Sequence, residues 1–182
     1  MKGLLDRFVF QLAIVMMNQK GIPVDDEHIR LKLGTHTAKG SYGDYWKLSE
    51  TRGIKVLRKD FNTIKQAKNS NSMAEAQLES DFFIKSKKTG VVPECFGTRI
   101  VMVGSHFRVG ILMEHLGETR LMDYRGDADH YQVRKQLEQK FIDIGIQRND
   151  LHNENIMVKD GKFYAIDFTP FTVTILDEKK AA

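Results

Sequence analysis

Cysteine is nearly absent from this chain. A single thiol, Cys95, rules out an internal disulfide framework and offers no zinc-ligand spacing, so it reads as a small buried apolar residue. Excess charge is equally scarce. A net charge of +4 from 28 basic and 24 acidic side chains forms no dense Lys/Arg stripe, which describes a solvated surface and leaves no nucleic-acid partner expected. A bilayer-spanning run is missing too. Leu4, Leu5, Phe8, Val9, Leu12, Ala13, Met16 and Met17 recur at helical spacing behind Lys2 and Arg7. That run is too short to cross a membrane, and no small-residue cleavage site follows it. It is expected to be an N-terminal helix docked on the body of the protein. With 182 residues, 41% of them hydrophobic and 29% charged, the composition is that of a globular domain, or of two small lobes around a cleft.

What is present is concentrated near the C-terminal end. Asp150-Leu-His-Asn-Glu-Asn155 is followed by Ile166-Asp167-Phe168. A carboxylate, an amide five residues on and a second carboxylate twelve beyond that suit phosphoryl transfer. There one carboxylate orients the attacking hydroxyl, while an amide oxygen and another carboxylate hold Mg²⁺ against nucleotide phosphates. Between them, Ile156-Met-Val158, the turn Lys159-Asp-Gly161 and Phe163-Tyr-Ala-Ile166 predict a hairpin that brings Asn155 and Asp167 to one metal.

Upstream, the chain offers what such chemistry needs, in order. His28–Leu33 is strand-like. Gly34 to Gly43 is a loop in which Gly40, Ser41 and Gly43 can cover phosphates by backbone approach, and Asp44–Leu48 is strand-like again. Lys55 lies on an apolar strand, Gly53–Leu57. Asn71–Ile84 reads as an amphipathic helix capped by Asn71 or Ser72, with Glu75 and Glu79 one turn apart on the same face. A strand at Val91–Pro93 follows. Thr98–Val103 and His106–Met113 read as a strand, turn and strand, continuing into Glu114-His-Leu116-Gly117. Asp127–Ile146 is a helical pattern with Tyr131, Leu137, Phe141 and Ile144 on its buried side.

These motifs, from about Leu31 to Phe168, resemble the protein-kinase-like superfamily, whose catalytic loop and metal segment read HRDLxxxN and DFG. Asp150 falls on the catalytic aspartate, Asn155 on the metal-binding asparagine and Asp167 on the DFG aspartate. Gly40 and Gly43 fall on the second and third glycines of GxGxxG, with Ala38 at the first. Lys55 matches the phosphate-binding lysine, and Glu79 its helix partner by the family's interval to the strand at Val91–Pro93, with Glu75 as the alternative. Met113 matches the gatekeeper, and Glu114 and Leu116 the hinge that binds adenine. The chain departs from the pattern at Arg148-Asn149 in place of His-Arg, at His152 in place of lysine and at Thr169 in place of the DFG glycine.

The resemblance implies an α+β, two-lobed kinase-like fold with a truncated C-lobe. It would be a single minimal domain, with an N-lobe over about residues 1–113 and a reduced C-lobe over about 114–182. It implies ATP and Mg²⁺ as cofactors. Because few residues follow Thr169, the chain is similar to the very small kinases that bacteria inject into host cells as type III effectors. One such family phosphorylates the host heat-shock chaperone of the ninety-kilodalton class, and another binds ubiquitin-conjugating enzyme. The expectation is a Ser/Thr protein kinase with a cytoplasmic fold, delivered from a bacterium into host cytosol and acting on a host protein. The alternatives are a small-molecule phosphotransferase resembling aminoglycoside kinases, as His152 suggests, and a pseudokinase-type binding module.

Overall fold

A computed structural model describes residues 38–40, 42–168 and 173–175. The N-terminal helix, the strand at His28–Leu33, Ser41 and Thr169 lie outside them. The described chain is mixed α+β. Its strands are β1 (Ala38–Lys39), β2 (Gly43–Lys47), β3 (Arg52–Leu57), β4 (Cys95–Val103), β5 (His106–Glu114), β6 (Ile146–Arg148), β7 (Ile156–Lys159), β8 (Lys162–Ala165) and β9 (Val173–Ile175). Its α-helices are α1 (Ile64–Lys68), α2 (Asn71–Ser86) and α3 (His130–Ile142).

An antiparallel five-stranded sheet, in the order β1-β2-β3-β5-β4, forms the first half. Alternation along the strands divides its residues between two faces. Trp46, Ile54, Val56, Val101 and Leu112 form a small cluster on one. Leu57, Ile111 and Met113 belong to the larger core on the other, together with Ala76 and Phe83 of α2, Leu137 and Phe141 of α3, and Ile156, Ala165 and Phe168. One continuous apolar cluster therefore joins the sheet to the elements that follow it.

Local chemistry explains the element ends. The N-cap of α2 is Ser70, one residue before Asn71 and two before Ser72, the expected caps, and its hydroxyl accepts from Met73 N at 3.1 Å. α3 is shorter than its periodic pattern. Asp129 accepts from the amides of Tyr131 and Gln132, which fixes the start, and Gly145 at φ +75° closes the end. The buried stripe of α3 is Val133, Leu137 and Phe141. Tyr131, two positions off that stripe, is exposed, and Ile144 is only partly buried. Val91–Pro93 is not a strand. These three residues are buried, the Val91 carbonyl accepts from Ala165 N at 2.7 Å, and Pro93 has no N–H to give to a ladder. Cys95 is half-buried, with its sulfur 3.2 Å from Ser80 Oγ.

The C-terminal hairpin is local in origin. β7 and β8 pair antiparallel through a two-residue turn, with Asp160 at φ 51° and Gly161 at φ 72°, the mirror-image turn that matches strand twist. β6 pairs with β9, a contact the sequence reading did not anticipate. Among the described residues, no helix is long and apolar enough to cross a membrane. Removing the α2 cap should be measurable: Ser70→Ala is expected to cost about 1 kcal/mol in equilibrium urea unfolding. An unchanged midpoint would show that the cap hydroxyl contributes nothing.

Candidate active site

The inner end of the site is built on one cation. Lys55 points from β3 off the same face as Tyr45, its register partner on β2. Its Nζ donates to both oxygens of Glu79, at 2.8 and 3.0 Å, and to Asp167 Oδ1 at 2.6 Å. Glu79 reaches it because α2 turns that carboxylate inward to only 3% exposure, whereas Glu75 is exposed. Burial opposes the charge on Lys55, but the Glu79 and Asp167 carboxylates together outweigh it and raise its pKa. Glu79 also accepts from Phe168 N at 3.0 Å, so one buried carboxylate fixes both the lysine and the backbone just after Asp167.

Asp167 sits at φ +65°, a left-handed conformation uncommon for a residue with a side chain. Three contacts hold it there. Lys55 takes its carboxylate, Arg148 Nη2 donates to its carbonyl at 2.7 Å, and Phe168 anchors the next residue. The Phe168 ring is fully buried, edge-on to Phe83 and Phe141 at centroid separations of 4.7 and 5.5 Å.

Arg148 is a participant that the sequence reading missed. It is 3% exposed, and its Nη2 also reaches Asp150 Oδ1 at 3.2 Å and the Ile166 carbonyl at 3.1 Å. Its guanidinium carbon lies 4.2 Å from the Phe168 ring centre, and Nε and Nη1 have no hydrogen-bond partner. Burial pushes its pKa down, and the Asp150 carboxylate works against that shift. A sequence signal did exist: a charged residue where the flanking pattern of a short strand demands an apolar one.

The loop from Asp150 to Asn155 is closed by its own polar groups. His152 N donates to the Asp150 carbonyl at 2.9 Å, Asn155 N to the His152 carbonyl at 2.9 Å, and Asn155 Nδ2 to the Asp150 carbonyl at 3.0 Å. Ile166 N donates to the Asn155 carbonyl at 2.8 Å, which ties the loop to the segment carrying Asp167. With Nδ2 committed, Asn155 has its amide oxygen to offer. Among the described residues no group of three or more His, Cys, Asp and Glu side chains is gathered to hold a metal. The Asn155 amide and the Asp167 carboxylate are hard oxygen donors on one cavity, a pair that fits Mg²⁺ when phosphate and water oxygens complete the shell.

The glycine segment is a tight hairpin between β1 and β2. Gly40 N donates to the Gly43 carbonyl at 2.9 Å, and a Cβ on Gly43 would lie 2.7 Å from the Val56 carbonyl oxygen, so a side chain there has no room. Arg58, also unanticipated, donates from Nη2 to the Gly40 carbonyl and to Asp44 Oδ1, tethering this hairpin to the end of β3.

Gly40, Gly43, Lys55, Glu114, Leu116, Asp150, Asn155 and Asp167 all line one cavity of about 880 Å³, within the usual size of small-ligand sites. Glu79 lies behind it. Lys55, Asp150, Asn155 and Asp167 make one part polar, while Met113, Leu116 and Met157 supply apolar surface. Glu114 and its neighbour are strapped in place. Lys159 Nζ bonds Glu114 Oε1 at 2.8 Å and the His115 carbonyl at 3.2 Å, and His115 N donates to the Thr51 carbonyl at 3.1 Å.

Compared with known proteins, the chain matches no protein-family model and no curated sequence. Neutralising Glu79 leaves Lys55 buried with half its compensation, so Glu79→Gln should lower unfolding free energy by about 3 kcal/mol. Glu75→Gln on the exposed face should stay within about 0.5 kcal/mol. Equal effects in urea unfolding would remove Glu79 from its role.

Proposed function

We propose that this protein is a minimal protein kinase of kinase-like two-lobed architecture, moving the γ-phosphoryl group of Mg²⁺–ATP to a protein hydroxyl. The observation that carries the reading is the Lys55 ammonium held between Glu79 and Asp167, in a cleft shared with Asp150 and Asn155. A cation already desolvated and oriented by two carboxylates is arranged to meet the oxygens of a nucleotide.

On this reading the residues divide the work. Lys55 binds α- and β-phosphate oxygens, and Glu79 keeps it in position. The backbone of the Gly40–Gly43 hairpin covers the phosphates. Asn155 and Asp167 hold Mg²⁺, which would neutralise charge on the phosphates when bound. Asp150, steadied by Arg148, orients the acceptor hydroxyl and takes its proton. Catalysis then consists mainly of positioning and charge stabilisation.

The likeness to injected bacterial effectors makes a host protein, such as the ninety-kilodalton chaperone, the first acceptor to test. A small-molecule acceptor is the second reading, because His152 and Glu154 line the same cavity beside Asp150. Incubation with labelled ATP, Mg²⁺ and a eukaryotic lysate separates the two. A labelled protein band supports the kinase, and label confined to small molecules supports the second reading.

Asp150→Asn preserves an acceptor for Arg148 while removing the base. It should retain nucleotide binding and lose about 10²-fold or more of transfer, the usual weight of a general base. Asp167→Asn should weaken Mg²⁺–ATP binding itself. Near-normal transfer by Asp150→Asn would remove Asp150 from the mechanism.

A further inference from the structure

Tyr45 is part of the cavity wall, and its surroundings are unusual. Register places Tyr45 opposite Lys55, and Gly53 two residues before Lys55 on the same face of β3. Gly53 is buried, and a Cβ built on it would fall 1.7 Å from the Tyr45 hydroxyl oxygen and 2.2 Å from Cζ. Nothing larger than glycine fits beneath that ring. The far end is pinned as well. The hydroxyl lies 3.0 Å from His115 Nδ1, and the two ring planes are within 21° of parallel, with centroids 6.0 Å apart.

His115 cannot drift, because its amide is bonded to Thr51 and its carbonyl to Lys159. A bare glycine, an aromatic ring laid over it and a histidine fixed at both backbone groups together make a rigid, flat roof. The same cavity offers Met113, Leu116 and Met157 as apolar surface away from the acidic groups.

We propose that Tyr45 is the base-binding residue of the nucleotide site: a purine ring stacks on its face, and His115 and Gly53 position it. The proposal rests on the nucleotide reading above and adds what recognises the base. Aromatic side chains hold nucleobases by their faces, a contact that depends on a fixed plane and that polyphosphate alone cannot make. The hydroxyl–imidazole bond has a clear use here, since an unpinned tyrosine would lose rotamer freedom each time a base bound.

The test uses the full chain and calorimetric binding of Mg²⁺–ATP and Mg²⁺–tripolyphosphate. Tyr45→Ala should weaken ATP by about 10-fold or more, the weight of one base–aromatic stack, and leave tripolyphosphate unchanged. That unchanged binding also reports that the variant is folded. Tyr45→Phe keeps the ring and loses only the pin, so ATP should weaken by about 3-fold. Gly53→Ala should weaken ATP by displacing the ring, and should add no further loss in the Tyr45→Ala background, because the clash is then gone. If the wild-type protein binds no ATP, the nucleotide reading falls and the roof falls with it. If wild type binds ATP and Tyr45→Ala binds it as tightly or more tightly, only the roof is overturned, because the ring then covers the pocket without holding the base.

Discussion

Everything at the inner end of the cleft depends on keeping one ammonium charged where water is scarce. Lys55 is desolvated, and an isolated cation there would lose its proton or force the structure open. Two carboxylates from distant parts of the chain prevent this. Glu79 comes from α2, and Asp167 comes from the segment after β8. Glu79, which is almost fully buried, is itself costly to bury without Lys55. The sheet, the helix and the C-terminal hairpin thus converge on one cluster of ion pairs. Such a triad does little for stability relative to an apolar core, but it fixes a geometry. Glu79 extends that geometry by accepting from Phe168 N, so the apolar anchor of Phe168 and the polar anchor of Lys55 are set by the same carboxylate.

Arg148 solves a related problem on the other side of Asp167. Three of its contacts converge on one nitrogen, to Asp150, Ile166 and Asp167, while its flat face rests against Phe168. A planar cation suits this place because it can bond at its edge and stack on its face at once, which an ammonium cannot. The strained backbone of Asp167 is therefore held by a charged group that Asp150 partly neutralises. The Asp150 carboxylate and the Asp167 backbone are thus tied to one guanidinium.

Much of the site was legible from spacing. Asp150, Asn155 and Asp167 lie within one loop and one hairpin, and the Asp160-Gly161 turn dictates how those fold back. Lys55 followed from an apolar strand, and Glu79 over Glu75 from the interval to Val91–Pro93 that the resemblance implies, because the two glutamates share a helix face one turn apart. What escaped reading was long-range or disguised. Tyr45 meets His115 across a sequence separation of 70 residues, and only the sheet register brings the two together. Arg148 looked like the loss of a motif residue, when its burial makes it a central contact. Val91–Pro93 stands where the resemblance implies a strand, but it is a buried core-filling connector, and proline cannot complete a ladder. The helical pattern over Asp127–Ile146 puts Tyr131 on the buried side with Leu137, Phe141 and Ile144, but Val133, Leu137 and Phe141 define a stripe that excludes it.

The charges at this inner end carry one more consequence. Three carboxylates, Glu79, Asp150 and Asp167, share two cations, Lys55 and Arg148. The pairs are satisfied as they stand, so a polyphosphate entering alone would have to take Lys55 from Asp167 and leave that carboxylate facing anionic oxygen. A divalent cation removes the conflict, because it can take up the carboxylate that Lys55 releases. On the proposed function, nucleotide and metal are then linked by electrostatics before any chemistry occurs. Lys55 would then be free to bind phosphate oxygens, and the Asp167 carboxylate would be compensated by the cation it helps to hold.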